Sequence, residues 1–164
     1  MRIRTAHRAD VPLLLTLIRE LAGYERLADQ VVGTEAELER HLFGERPAAE
    51  AVIAEADGDA VGFALFFTTF STFLCRPGIW LEDVFVRPQH RRSGVGRALL
   101  AHVAGIAAER GCGRMEWSAL DWNEPALRFY AGLGARPVAG WVVHRLEGEA
   151  LSRLAARDGG RARA

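Results

Sequence analysis

Residues 79–100 read IWLEDVFVRPQHRRSGVGRALL, and the rest of the chain is organised around this stretch. Its first eight residues are apolar, β-branched or aromatic apart from two acids, which is the composition of a central strand. The run breaks at Arg87-Pro88, because the residue before a proline is pushed out of the helical region. A short basic loop, Arg91-Arg92-Ser93-Gly94-Val95-Gly96, then leads straight into an amphipathic helix over residues 94–109. Glycines let backbone approach a ligand closely, and the free N–H groups of a helix start attract phosphate. Glu82 and Asp83 lie inside the strand, where a buried carboxylate is costly unless it is paired or used. The loop lacks the third glycine of a dinucleotide fingerprint, since Leu99 stands there, and lacks the lysine of a phosphate-binding Walker loop.

Size and composition narrow the alternatives. The 164 residues suit one domain with a sizeable core, 49% of them hydrophobic and 26% charged. Acidic and basic residues balance at 21 each, so no global field favours nucleic acid or a membrane surface. Every basic residue is arginine. Cys75 and Cys112 form no disulfide framework, the first residues lack an apolar signal core, and no apolar run reaches 18 residues. The expectation is a cytoplasmic protein. The five histidines show no metal-ligand spacing, so no metal is assigned.

In chain order the reading begins with a strand over residues 2–5. A helix follows from an Asp10 N-cap, with Pro12 in its first turn, to about Gly23, leaving Tyr24 and Glu25 just past its end. Thr34 with Glu37 forms a capping box for a second helix ending near Phe43. Strands over residues 51–56 and 60–69 flank Asp57-Gly58-Asp59, a hairpin signal. Residues 71–78 read as a loop returning to the strand at Ile79. Beyond the central helix come a turn at residues 111–113, a strand over 115–120, and a helix capped by Asn123 and ending at Gly134. Residues 141–146 read as a last strand, 148–155 as a short helix, and 157–164 as a disordered tail. The fold class is α/β, a mixed central sheet flanked by helices, in one domain over residues 1–156.

Four motifs carry a resemblance. Arg91-x-x-Gly94-x-Gly96, Leu81-Glu82-Asp83, residues 21–25 (LAGYE) and residues 121–130 (DWNEPALRFY) occur in an order that resembles the GNAT superfamily of acyl-CoA N-acyltransferases. Among these they are most similar to the diamine acetyltransferase and thialysine acetyltransferase branch, over nearly the whole chain. The resemblance implies acetyl transfer from acetyl-CoA to a primary amine of a small molecule, by direct transfer and as a homodimer. Acyl transfer to a peptide or protein amine, and an acyl-CoA-sensing module without turnover, are the alternatives.

It also implies residue roles. Arg91, Arg92, Ser93, Gly94, Val95, Gly96 and Arg97 would hold the cofactor pyrophosphate, and Val84, Phe85 and Val86 would meet its acyl arm through backbone groups. Asn123, Ala126 and Tyr130 would complete the cofactor contacts, with Tyr130 protonating the departing thiolate. Glu82 would take the amine's proton, directly or through water, while Tyr24, Glu25, Glu82 and Asp83 would line the amine side. Taken without the resemblance, Tyr130 reads as a core tyrosine, Asn123 as a plain N-cap, and Tyr24 with Glu25 as a helix-end surface pair. In a regular strand neighbouring side chains face opposite sides, so only one of Glu82 and Asp83 faces a cleft. Glu82 is the one expected to be buried, among Trp80, Val84 and Val86, with a raised pKa. Ser71-Thr72-Phe73 stands where the polyamine-specific branch carries an acid, a likeness to the thialysine branch that argues against long polyamines and leaves amino-acid-like amines, short diamines or an unrelated amine. Neither cysteine lies in a matched motif, so no covalent acyl-enzyme is expected.

Overall fold

The computed structural model describes residues 1–158, which fall into two compact units meeting at Ser118/Ala119. The first unit holds a five-stranded sheet in the order β1-β2-β3-β4-β5, from β1 (Arg2–Thr5), β2 (Glu50–Ala56), β3 (Asp59–Ser71), β4 (Arg76–Val86) and β5 (Met115–Glu116). The first four strands pair antiparallel, and β5 pairs parallel to β4. Helices α1 (Val11–Glu25), α2 (Glu35–Phe43) and α3 (Val95–Glu109) belong to this unit. The second unit contains α4 (Glu124–Ala131) and α5 (Gly148–Asp158). Nothing among its described residues is assigned as a strand.

Both faces of the sheet are covered. Leu14, Leu17 and Leu21 of α1 and Leu42 of α2 form one buried cluster with Ile53, Phe63, Leu65 and Phe85. Full burial of side chains of this size is worth about 1.5–3 kcal/mol each. Val52, Ala64, Phe66 and Leu81 alternate to the other face, and a cavity there is lined jointly by Val52, Phe66 and the α3 residues His102 and Ile106. Leu99 and Val103 are the fully buried residues of α3.

Several local signals act as their chemistry dictates. Thr34 accepts from the Glu37 N–H while Glu37 accepts from the Thr34 N–H, so the capping box closes at the start of α2. Asp57 and Gly58 have φ of 55° and 90°, the paired positive values of a two-residue hairpin turn, and β3 begins at Asp59.

Other expectations are corrected. Asp10 occupies the N-cap position of α1 as expected, but its side chain makes no cap bond, because Arg4 and the His7 N–H hold its carboxylate at 2.7–2.8 Å. The helix runs through Gly23 to Glu25, since the left-handed C-cap residue is Arg26 rather than the glycine. Half of residues 71–78 are strand: β3 and β4 pair out to Ser71 and Arg76, leaving a four-residue turn. The strand at Met115 pairs for only two residues, and α4 stops at Ala131. Residues 141–146 form no strand. A strand exists through its ladder and none reaches them, so Trp141, Val142 and Val143 are 76, 76 and 78% exposed. Helix α5 extends to Asp158, into the first residues of the expected tail, and the remainder of that tail lies outside the described residues.

Candidate active site

The register of β4 decides where its two acids go. Leu65 pairs with Asp83 and Phe66 with Leu81, so Glu82 is one extra residue in a β-bulge. Cross-strand partners share a face. Leu81 therefore lies with Phe66 on the α3 face, whereas Asp83 lies with Leu65, and Phe85 with Phe63, on the face covered by α1 and α2. A regular strand would put Leu81 and Asp83 on the same side. The bulge separates them, and that overturns the expected burial of Glu82. Glu82 is exposed and accepts a hydrogen bond from Trp80 Nε1 at 2.9 Å. Asp83 is the half-buried acid, its pKa pushed up to about 6 by burial, with the charges of Glu82 and Glu25 adding to the effect.

Glu25, at the last position of α1, is likewise raised by burial. The charges of Glu82 and Glu25 thus both bear on Asp83, and no arginine is among the groups that shift it. Between the ordinary carboxylate value of 3.8 and about 6, the folded form holds more protons at Asp83 than the unfolded chain. Stability contributed by this group falls as pH rises through that window, and the penalty is complete above it. The full gap corresponds to about 3 kcal/mol, which partial contact with water brings toward about 1. Asp83→Asn is therefore expected to raise the thermal midpoint at pH 7, with the gain vanishing below about pH 4. A gain of equal size at both pH values would show that the carboxyl titrates normally.

Beyond Trp80, the described ladder pairs β4 on its β3 side alone, because β5 matches only Ile79 and Trp80. Backbone groups of residues 81–86 that face away from β3 are consequently outside the ladder. The chain then crosses the basic loop. His90 N–H donates to Arg87 O and Arg91 N–H to Pro88 O, while Ser93 Oγ donates to His90 O at 2.6 Å. Arg92 and Gly94 both take positive φ, 63° and 90°, the conformation that glycine adopts without strain. Gly94 is the N-cap of α3, and the first intrahelical bond runs from Ala98 to its carbonyl. The N–H groups of Val95, Gly96 and Arg97 lie ahead of that bond, with the positive end of a 15-residue helix behind them.

Two loop arginines turn back toward α1. Arg87 makes a two-pronged ion pair with Glu20, at 2.9 and 2.7 Å, and a third bond to Ala60 O. Arg91 donates from Nε to Val86 O at 3.0 Å and lies over the Tyr24 ring, 4.2 Å from its centroid. Neither contact was legible beforehand, because both join residues 67 positions apart with no local signal.

In the second unit, Asn123 is buried at the start of α4 and its Oδ1 accepts from Ala126 N–H at 3.4 Å. Tyr130 sits near the end of the same helix, half-buried, its ring 5.4 Å from that of Phe129. Helix α4 thus carries Asn123, Ala126 and Tyr130 together, and the first unit brings together Tyr24, Glu25, Glu82, Asp83 and the loop. Among the described residues no three metal-ligating side chains cluster, and no helix is long and apolar enough to cross a membrane.

A mixed sheet in which β4 leads through a glycine-capped basic loop and a long helix to a two-residue parallel junction with β5 is the frame that carries the β4 acids and the loop. A model of the Acetyltransferase (GNAT) family matches residues 17–135, and the chain belongs to that family. It is an acetyltransferase. It is 39% identical to a thialysine N-epsilon-acetyltransferase of Bos taurus, covering 94% of this chain and 97% of that one. An L-ornithine N5-acetyltransferase of Arabidopsis thaliana is 32% identical, over 93% of this chain and 87% of the relative. Among solved structures, an integron cassette protein from the mobile metagenome of V. cholerae superposes with a TM-score of 0.79 at 27% identity, covering 94% and 96% of the two chains.

Proposed function

We propose that the chain transfers the acetyl group of acetyl-CoA to the primary amine of a small molecule, an amino-acid-like amine or a diamine. The observation that carries this reading is the half-buried Asp83 with the carboxylates of Glu82 and Glu25 bearing on it, a negative cluster that a cationic amine would compensate. The names of the relatives, which refer to thialysine and ornithine, support the same class. An aliphatic ammonium with a pKa near 10 is no nucleophile until its proton leaves. Glu82, exposed at the bulge, takes that proton through water, while Asp83 and Glu25 hold the cation. The amine nitrogen bonds to the thioester carbonyl carbon and the carbon–sulfur bond breaks. Backbone N–H groups of residues 84–86 polarise the carbonyl, and Tyr130 protonates the thiolate. The resemblance further implies a homodimer, for which light scattering is the test; a cytoplasmic site rests instead on the cysteine usage.

The 91–97 segment suits the pyrophosphate: three arginines, two positive-φ residues and the first turn of α3 offer charge and N–H donors. Gly94→Asp is expected to weaken CoA binding at least tenfold, about 1.4 kcal/mol. A Cβ at Gly94 meets nothing within 4 Å but is strained at φ 90°, so Gly94→Ala controls for strain. Unchanged CoA binding in both variants, measured by calorimetry with the fold intact, would place the anion elsewhere.

The reaction itself is tested by thiol release from acetyl-CoA with thialysine, ornithine, spermidine and short peptides from pH 7 to 10. Turnover is expected with the small amines, rising with pH. Release with peptides alone would reassign the acceptor, and CoA binding without release under any amine would make the protein a sensor.

A further inference from the structure

Glu20 and Tyr24 are four residues apart on α1, so they share one face of the helix. Arg87 and Arg91, also four apart, meet them in the same order: Arg87 on the Glu20 carboxylate, Arg91 on the Tyr24 ring. Arg91 Nε closes back on Val86 O, so its side chain staples the start of the loop to the end of β4 while its guanidinium rests on α1. The Phe85 ring lies on the same guanidinium at 5.9 Å. Directly after the second anchor the backbone takes positive φ at Arg92 and Gly94, and at the non-glycine Arg92 that conformation persists only where its surroundings over-determine it.

We infer that Tyr24 is a positioning residue of the cofactor loop: its ring face holds Arg91, and with the Glu20–Arg87 pair it fixes the loop in the shape that binds the CoA pyrophosphate. The inference rests on the reading of that loop given above, and it moves Tyr24 from the amine side of the site to the cofactor side. The adjacent Glu25 then couples the two sides, because one turn of α1 carries both the loop anchor and an acid of the amine pocket.

The test is CoA affinity by calorimetry without amine, for the parent, Tyr24→Leu, Tyr24→Phe, Arg91→Ala and the Tyr24→Leu/Arg91→Ala double variant. Tyr24→Leu is expected to bind CoA about fivefold to tenfold more weakly, the span of a partly shielded cation–π contact. Tyr24→Phe keeps the ring face and should bind within about twofold of the parent, which also guards against misfolding as the cause. In the Arg91→Ala background Tyr24→Leu should have no further effect, because contacting residues couple whereas independent ones add. Additive losses, or a Tyr24→Leu variant that binds CoA like the parent while its amine KM rises, would overturn the inference. A parent that does not bind CoA would instead remove the loop assignment itself.

Discussion

Replacing Tyr130 by phenylalanine is expected to lower kcat by about 10²–10⁴-fold, the usual worth of a general acid. The substitution keeps the ring that packs beside Phe129 at 5.4 Å. It leaves untouched the backbone carbonyl of residue 130, which accepts from the N–H groups of Leu133 and Ala135 at the end of α4. Only the hydroxyl is lost, so stability should change by no more than about 1.5 kcal/mol, the net value of one hydrogen bond. The chemical case rests on the leaving group. A thiolate is a good leaving group, but without a proton it can return to the acyl carbon, and a phenol is acidic enough to supply one at modest cost. Steady-state thiol release and a thermal melt on the same preparation separate the two roles. A kcat within about threefold of the parent would make Tyr130 structural.

The second large effect concerns the acids of β4. Glu82→Gln keeps shape and hydrogen-bonding capacity, including an acceptor for Trp80 Nε1, but cannot take a proton. At pH 7, kcat/KM is expected to fall about 10²-fold and to recover in part toward pH 10, where more of the amine arrives deprotonated. Acetyl-CoA affinity should stay near that of the parent. Asp83→Asn acts differently. Below about pH 6 the Asp83 carboxyl is protonated and no longer attracts a cation, so the parent's kcat/KM should decline on that side. In Asp83→Asn that limb should disappear while the amine KM rises, and the high-pH recovery seen with Glu82→Gln should be absent. An exchange of these behaviours between the variants would assign the proton to Asp83. Profiles identical to the parent's in both would leave proton removal to solvent.

The features legible in the sequence are those whose cause is local. Thr34 with Glu37, Asp57-Gly58 and Gly94 each work through atoms within a few positions, and the expected capping box, hairpin and helix start all formed. Apolar periodicity likewise placed α1 and α3, because it reports which side of a helix is withdrawn from water. The acids of β4 were recognised as special, but their directions were not. The bulge depends on how β3 and β4 slide past each other, which no short window contains. The run at Trp141–Val143 fails for a related reason: β-propensity expresses fitness for a pleated surface, and a partner must supply that surface. The grip of Glu20 and Tyr24 on Arg87 and Arg91 was equally out of reach, being made wholly by tertiary contact.

The bulge has a consequence for insertions and deletions. A strand normally codes direction by odd and even positions, but here the code changes parity at one residue: Ile79 and Leu81 share one face, Asp83 and Phe85 the other. Removing a residue at this place leaves every remaining cross-strand pair in step, since the ladder never used the extra one. Loss of Glu82 and loss of Asp83 therefore lead to the same regular strand, with an aspartate or a glutamate opposite Leu65. The two single-residue deletions differ only by one methylene on the α1 face, and both lack the second, outward acid. For this protein the distance between a strand with one acid and a strand with two is a single codon, crossed with every cross-strand pair kept and only the bulge's local bend and twist given up.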